Sequence, residues 1–354
     1  MKILVAPDSF KGSMSSATAG DAVRKGILRA FPSASVSCFC LADGGEGTAY
    51  ALSSGAGLCC ASVVGPYGSP VSASFYMVSS VAYIDCASAI GLPLVPSSMR
   101  HPLRLTSYGL GQLISAAVDM GASSVVVGLG GSATVDCGLG MLCALGARVY
   151  SGSSVLSMPY PSDFMSVTSV DLSAVSLPSV VVLSDVSNPL LGDFGAAPVF
   201  GPQKGATAAE VSLLTSALAH VAPLISSSAD VMSPGCGAAG GLGFAFRALG
   251  ADFVPGAEYV ISHGGIETCL RSGVDLVVTG EGRFDRSSLS GKAAYTLGCM
   301  ASSMGVPAVL FAGSAESLSV PFDVCEIGGS YDFTDPAASS AALESTVFEY
   351  MWKL

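Results

Sequence analysis

Asp275-Leu276-Val277-Val278-Thr279-Gly280-Glu281-Gly282-Arg283-Phe284-Asp285 reads as a short apolar strand, Asp275 to Thr279, running out into a glycine-rich turn that carries two acids and a base. Ser290-Gly291-Lys292 follows, then a helix from about Lys292 to Met304 and a strand from Pro307 to Ala312. The amino terminus has the same grammar. Lys2 to Ala6 reads as a strand, Pro7 to Ser13 as a charged turn, and Ser16 to Ala30 as a helix with Pro32 just beyond its end. Strand, turn and helix in that order build parallel α/β sheets. The likeness of the two ends predicts that they share one sheet, with the middle of the chain inserted.

A second strand near Val36 to Leu41 feeds the turn Ala42-Asp43-Gly44-Gly45-Glu46-Gly47-Thr48. From Cys59 the texture changes: Ala61 to Val64, Val71 to Val78 and Val81 to Ile84 are apolar runs separated by short Gly, Pro and Ser breaks, as in a meander. Alternation of helix and strand resumes with Ser107 to Met120 and Ser124 to Val127, followed by a glycine turn and a helix through Ala144. Val180 to Leu183 is a further apolar run, ending near Asp185. Thr207-Ala208-Ala209-Glu210 has capping-box spacing, and Val211, Leu214, Leu218 and Val221 continue it at helical period, with an end expected at Pro223. The predicted architecture is a two-domain α/β protein. Residues 1–55 and 266–354 would form a discontinuous Rossmann-like parallel-sheet domain, and 56–265 an inserted mixed α/β domain.

Composition narrows the class. A chain of 354 residues exceeds what one hydrophobic core usually supports. The mean hydropathy of +0.61 is high, and Thr48 to Ile84 carries no charge. Yet Gly55, Gly57, Gly65, Pro66, Gly68 and Pro70 interrupt that stretch, so no apolar run there approaches the ~20 residues a bilayer requires. No transmembrane helix is expected. Asp8 arrives before an apolar region of signal-peptide length, so cytoplasmic residence is the expectation. The eleven cysteines show no Cys-x-x-Cys pair, and Cys38, Cys40, Cys59 and Cys60 read as small buried hydrophobes. A net charge of −11 argues against a nucleic-acid partner.

Charged residues are only 12% of the chain, yet they gather in turns behind strands: Asp8, Asp43, Asp185 and Glu281, accompanied by Lys11, Lys204, Arg283 and Lys292. Any one turn aspartate is explained by hydrogen bonds to its own backbone. Four turns of the same chemistry point to a ligand site at the carboxyl ends of strands. Carboxylates with separate cations suit phosphoryl transfer, in which Mg²⁺ takes one or two carboxylates plus phosphate oxygens and cations neutralise the moving group. His101, His220 and His263 lie in no catalytic motif. Gly128-Leu129-Gly130-Gly131-Ser132-Ala133 fits a dinucleotide fingerprint, but no acid stands about 20 residues on to take the ribose. The loop could still hold phosphate through backbone N–H groups at a helix start. No Walker A sequence surrounds Gly291-Lys292.

Taken in order, the segments resemble the type I glycerate kinase family along nearly the whole chain. They are Ala6 to Ser13, Ala42 to Thr48, Gly130-Gly131-Ser132-Ala133-Thr134-Val135-Asp136, Asp185-Val186-Ser187-Asn188-Pro189-Leu190, Phe200 to Ala206, Gly237 to Gly243, Thr279 to Asp285, and Gly291-Lys292. The resemblance implies ATP-dependent phosphorylation of D-glycerate to 2-phosphoglycerate, in a cleft between the two domains. It gives Asp185 the base role beside Asn188, with Asp8 and Lys11 as further catalytic candidates and Asp8 an alternative base. Asp43, Glu46, Glu281 and Asp285 become candidates for magnesium or ribose. Lys11, Lys204, Arg283 and Lys292 would take phosphate or the glycerate carboxylate, with Ser9, Gly130, Gly131 and Ser132 in the same binding set.

Four positions depart from the family pattern: Asp85 stands for a glutamate, Cys137 for a glycine, Ser287 for a glutamine, and Gly192-Asp193-Phe194-Gly195 lacks an arginine. A positive φ at Cys137 would be strained. Two other classes compete: a nucleotide-dependent oxidoreductase of a small hydroxy acid, using the Gly128 loop, and a non-catalytic small-acid binding protein. Oligomeric state is not legible.

Overall fold

The computed structural model describes residues 1–328 and 334–354 and divides into two compact units. Met1–Asp43, Tyr50–Ser54 and Pro255–Leu354 make the first; Gly44–Ala49 and Gly55–Val254 make the second.

The first unit is built on a five-stranded sheet in the order Asp323–Glu326, Ala308–Ala315, Leu276–Phe284, Lys2–Val5, Ser35–Cys38, with every pair parallel. The two chain ends meet in register, Ile3 opposite Leu276 and Val5 opposite Val278. Parallel strands are covered on both faces, which explains why these segments read as continuous apolar runs. The period-two alternation sorts them: Ile3, Val5, Val278, Val309 and Phe311 pack with Val23, Ile27, Leu343 and Val347, while Leu310 and Ala312 join Phe284 and Ala294 in a separate cluster. Helix Ser16–Ala30 begins where Ser15 Oγ accepts from Thr18 N–H, and helix Pro336–Met351 where Asp335 Oδ1 accepts from Ala337 N–H. The two helices approach so closely that a Cβ on Gly26 would lie 2.5 Å from the Glu344 carbonyl oxygen.

Glu281 was expected in a turn, but strand Leu276–Phe284 runs straight through it. The neighbouring strand extends to Ala315, so Glu281 pairs with Ala312 and Arg283 with Ser314, and the ladder outlasts the apolar run. Gly280 and Gly282 disguised this, since glycine in a strand is read as a break.

The second unit has a six-stranded sheet in the order Asp252–Val254, Ser179–Leu183, Ser124–Gly128, Val81–Asp85, Pro70–Val78, Leu58–Val64. The first four strands are parallel, and the last two close the antiparallel meander. A small antiparallel sheet of Ser154–Leu156, Arg148–Ser151 and Ser169–Asp171 lies beside it in sequence. Helix Ala208–Ile225 starts with the expected capping box, Thr207 N–H and Oγ1–H on Glu210 Oε2 and Glu210 N–H on Thr207 Oγ1. It passes Pro223 and ends at Ile225. Proline near a helix end forfeits a single backbone bond, and buried Val221, Ala222 and Ile225 outweigh that loss. By length and composition this helix could cross a bilayer, with mean hydropathy 1.5. In the structure its Leu214, Leu218, Val221 and Ala222 face fills the core of the second unit.

Candidate active site

Three segments of the first unit enclose a cavity of about 230 Å³ lined by Asp8, Ser9, Lys11, Asp43, Glu281, Arg283 and Lys292, with Phe10, Ser13 and Gly282 completing its wall. The backbone explains why they meet. Ala6 N–H donates to Val278 O and Asp8 N–H to Gly280 O, both near 2.9 Å, so the ladder continues past Val5 and delivers Asp8 beside Glu281. Gly280 is required by close approach: a Cβ there would meet Phe311 O at 2.7 Å and the Phe10 ring at 3.2 Å, whereas one on Gly282 would make only an ordinary contact with Lys11 N at 3.4 Å. Ser16 draws in the third segment, donating from Oγ to Pro7 O at 2.6 Å and accepting from Leu41 N–H at 3.0 Å.

The electrostatics of the cavity are those of crowded carboxylates. Burial, then the charge of Asp43, pushes the Asp8 carboxyl up to about 7, against a hydrogen bond from Ser9 N–H and the charge of Lys11. Asp8 is only 8% exposed. Burial also raises Glu281, opposed by Lys292, whose Nζ donates to Glu281 Oε2 at 3.3 Å. The other oxygen, Glu281 Oε1, is buried with no hydrogen-bond partner. Arg283 Nε pairs with Asp285 Oδ2 at 3.0 Å, and Asp285 also accepts from Ser287, which holds its carboxyl below the usual range. An orphaned carboxylate oxygen beside mutually repelling acids is a donor set that fits a hard cation. Among the described residues no group of three or more Asp, Glu, His or Cys side chains is arranged to hold a metal alone. Mg²⁺ ordinarily takes only one or two protein carboxylates, the rest coming from phosphate and water.

The remaining sequence candidates lie in the second unit: Glu46, Gly130, Gly131, Ser132, Asp185, Asn188 and Lys204. Glu46 and Asp185 are exposed, Asp185 two residues past strand Ser179–Leu183. Asn188 Nδ2 donates to Phe194 O at 2.8 Å, fixing the turn that follows. Lys204 is buried, and its Nζ donates to Ser132 Oγ at 3.0 Å and Thr134 O at 2.8 Å. Burial pulls its pKa down to about 8. The close approach that Gly128 and Gly130 permit is taken up by protein: a Cβ on Gly130 would lie 2.4 Å from Gly45 Cα, and one on Gly128 2.7 Å from Gly44 O.

Two carboxylates that the family pattern picked out in the sequence, Asp136 within its motif and Asp85 as a departure from it, carry structural roles that the sequence did not reveal. Asp136 is fully buried and accepts from Ser107 N–H and Oγ–H, Gly138 N–H and Gly140 N–H, tying the start of helix Tyr108–Asp119 to the turn before helix Leu139–Ala144. Asp85 accepts from Gly47 N–H at 2.8 Å and Ala49 N–H at 2.9 Å, while burial holds its pKa up at about 6. Cys137 does adopt a positive φ, +55°, a conformation costing about 1–2 kcal/mol for a side chain with Cβ. His220 and His263 are engaged with Val167 O and with Tyr259, away from the cavity lining.

Comparison with known proteins gives the family. The family model described as "Glycerate kinase family" matches residues 3–343. The glycerate kinase of Bacillus subtilis strain 168 is 40% identical over 326 residues, 89% of this chain and 85% of that protein. The glycerate 2-kinase of Escherichia coli strain K12 is 40% identical over 327 residues, with the same coverage. In three dimensions, the crystal structure of a "putative glycerate kinase 2" from Salmonella typhimurium LT2 superposes with a TM-score of 0.87 at 36% identity, covering 99% of this chain and 97% of that one. The chain belongs to the glycerate kinase family and is an enzyme of it.

Proposed function

We propose that this enzyme transfers the γ-phosphoryl group of ATP to D-glycerate in the presence of Mg²⁺, giving 2-phosphoglycerate and ADP, and that it does so in the cytoplasm without a nucleic-acid or membrane partner. The observation that carries this reading is the cavity of the first unit, where Asp8, Asp43 and Glu281 face Lys11, Arg283 and Lys292. Asp8 takes the base role here in preference to exposed Asp185, because a buried carboxyl that titrates near neutrality is matched to accepting a hydroxyl proton. The substrate oxygen loses its proton to the Asp8 carboxylate and bonds to the γ-phosphorus as the bond to the β-phosphate oxygen breaks and ADP leaves.

Glu281 and Asp43 would hold the magnesium, with Asp285 and Glu46 as further candidates; the ion supplies charge neutralisation at the phosphate oxygens. Lys292 and Lys11 neutralise the phosphate from the protein side. The planar fork of Arg283 suits the glycerate carboxylate. Ser132, Lys204, Asp185 and Asn188 belong to the second unit, where Lys204 Nζ holds Ser132 Oγ and Gly130 N–H is spent on Gly44 O. The test is ADP release with D-glycerate and Mg²⁺-ATP, followed by product identification. Release of ADP with 2-phosphoglycerate is expected. Absence of glycerate-dependent ADP would overturn the activity, and 3-phosphoglycerate as sole product would overturn the choice of hydroxyl.

A further inference from the structure

The turn Gly44–Ala49 contains three glycines, Gly44, Gly45 and Gly47, with Gly44 and Gly47 at φ of +87° and +92°. Such a segment loses more backbone entropy on ordering than any other composition would, so it must be held from outside. Within it Thr48 N–H donates to Gly45 O at 3.3 Å, a long bond. Two neighbouring elements add support. Gly130 N–H donates to Gly44 O at 3.1 Å, and the bare Cα positions of Gly128 and Gly130 leave just enough room for the Gly44–Gly45 backbone. Asp85, at the end of strand Val81–Asp85, grips the far side, one carboxylate oxygen on Gly47 N–H and the other on Ala49 N–H.

We propose that Asp85 is a positioning residue for phosphoryl transfer: seated against the Gly128–Gly131 loop, it fixes the course of Gly44–Ala49, and through that backbone the placement of Glu46 and of Asp43, which is bonded to Gly44. The glycine loop that resembles a dinucleotide fingerprint is thereby the other jaw of this clamp. The inference rests on the kinase reading for its functional half only. The geometry requires a carboxylate. Both of its oxygens accept, whereas an asparagine would keep one acceptor and turn an NH₂ group toward an amide N–H. A glutamate keeps both acceptors on a longer stem.

The experiment compares wild type, Asp85→Asn and Asp85→Glu by hydrogen–deuterium exchange with peptide resolution, thermal melting, and steady-state kinetics with D-glycerate and Mg²⁺-ATP. In wild type the amides of the 44–49 peptide are protected. In Asp85→Asn their exchange accelerates at least about tenfold, peptides from strands Ser124–Gly128 and Ser179–Leu183 keep their protection, and kcat falls roughly 10–100-fold with the glycerate KM nearly unchanged, the range seen when a supporting hydrogen bond behind a functional group is removed. Asp85→Glu restores both protection and kcat to within a few-fold. An unprotected 44–49 peptide in wild type overturns the clamp, as does loosening of the whole second unit in Asp85→Asn. If Asp85→Asn does not fold, Asp85→Glu decides: protection with activity supports the proposal, protection without activity overturns it. A wild type that melts cooperatively and shows the clamp but makes no glycerate-dependent ADP would refute the kinase reading and leave the clamp standing.

Discussion

Lys292 Nζ reaches Glu281 Oε2 at 3.3 Å while Glu281 Oε1 stays buried without a hydrogen-bond partner, so the protein pairs one oxygen of this carboxylate and leaves the other unsatisfied. A buried acceptor with nothing to accept costs about 1–3 kcal/mol, a cost tolerated where a bound group supplies the missing partner. Glu281→Gln keeps shape and removes charge. The Mg²⁺ concentration for half-maximal activity is expected to rise at least about tenfold, with melting temperature unchanged or raised because the buried charge is gone. Magnesium titrations of initial rate check it; an unchanged magnesium requirement counts against Glu281 as a metal ligand.

As the proposed base, Asp8 is expected to set the pH dependence. Its carboxyl titrates at about 7, raised first by burial and then by Asp43, and the base must be ionised to accept a proton. kcat/KM, which reports the free enzyme, should therefore climb as pH rises through about 7 and level off above it. Asp43→Asn removes the second cause, so in that variant the acid limb should shift to lower pH even as the rate falls. A limb that stays in place would show that Asp43 does not act on the titrating group.

Lys204 offers a stability test with a definite sign. Its folded pKa of about 8 lies below the ordinary lysine value of 10.5, so between those limits the unfolded chain binds more protons and unfolding free energy rises with pH. The charge burial is a constant cost below pH 8, relieved above it by up to about 3 kcal/mol. Relative to Lys204→Met, wild type should gain stability from pH 8 to 10.5, measured by denaturant unfolding at each pH. A flat difference would mean that burial does not lower the pKa of this amine.

Gly26 tests the packing of the first unit. Glycine to alanine in an open helix stabilises by roughly 0.5–1 kcal/mol, but here the new Cβ would lie 2.5 Å from Glu344 O and 2.9 Å from Val347 Cβ. Gly26→Ala should instead lose about 1–3 kcal/mol as helix Pro336–Met351 is forced away. A stabilised variant would contradict the close crossing.

What the sequence disclosed and what it hid follow the range of the forces involved. Helix Ser16–Ala30, the Thr207–Glu210 capping box and the meander through Asp85 rest on local propensity and period, and they were legible from neighbours in the chain. The continuation of strand Leu276–Phe284 through Glu281 depends on a partner strand thirty residues away, and the passage of helix Ala208–Ile225 beyond Pro223 depends on core packing. Side-chain partners were least legible. Nothing near Lys204 announces Ser132 and Thr134, and the glycines at 128 and 130 look the same whether phosphate or the Gly44–Gly45 backbone comes close. The convergence of Asp8, Asp43 and Glu281 on one cavity was foreshadowed by their shared position behind strands, because strand ends of one parallel sheet lie side by side.

The most direct measurement is D-glycerate-dependent ADP formation by wild type, Asp8→Asn and Asp185→Asn, each shown to be folded by its melting curve. Wild type should turn over, Asp8→Asn should lose about 10²–10⁴-fold in kcat, and Asp185→Asn should lose far less. Turnover surviving in Asp8→Asn while Asp185→Asn is dead would contradict the assignment of the base to the cavity of the first unit.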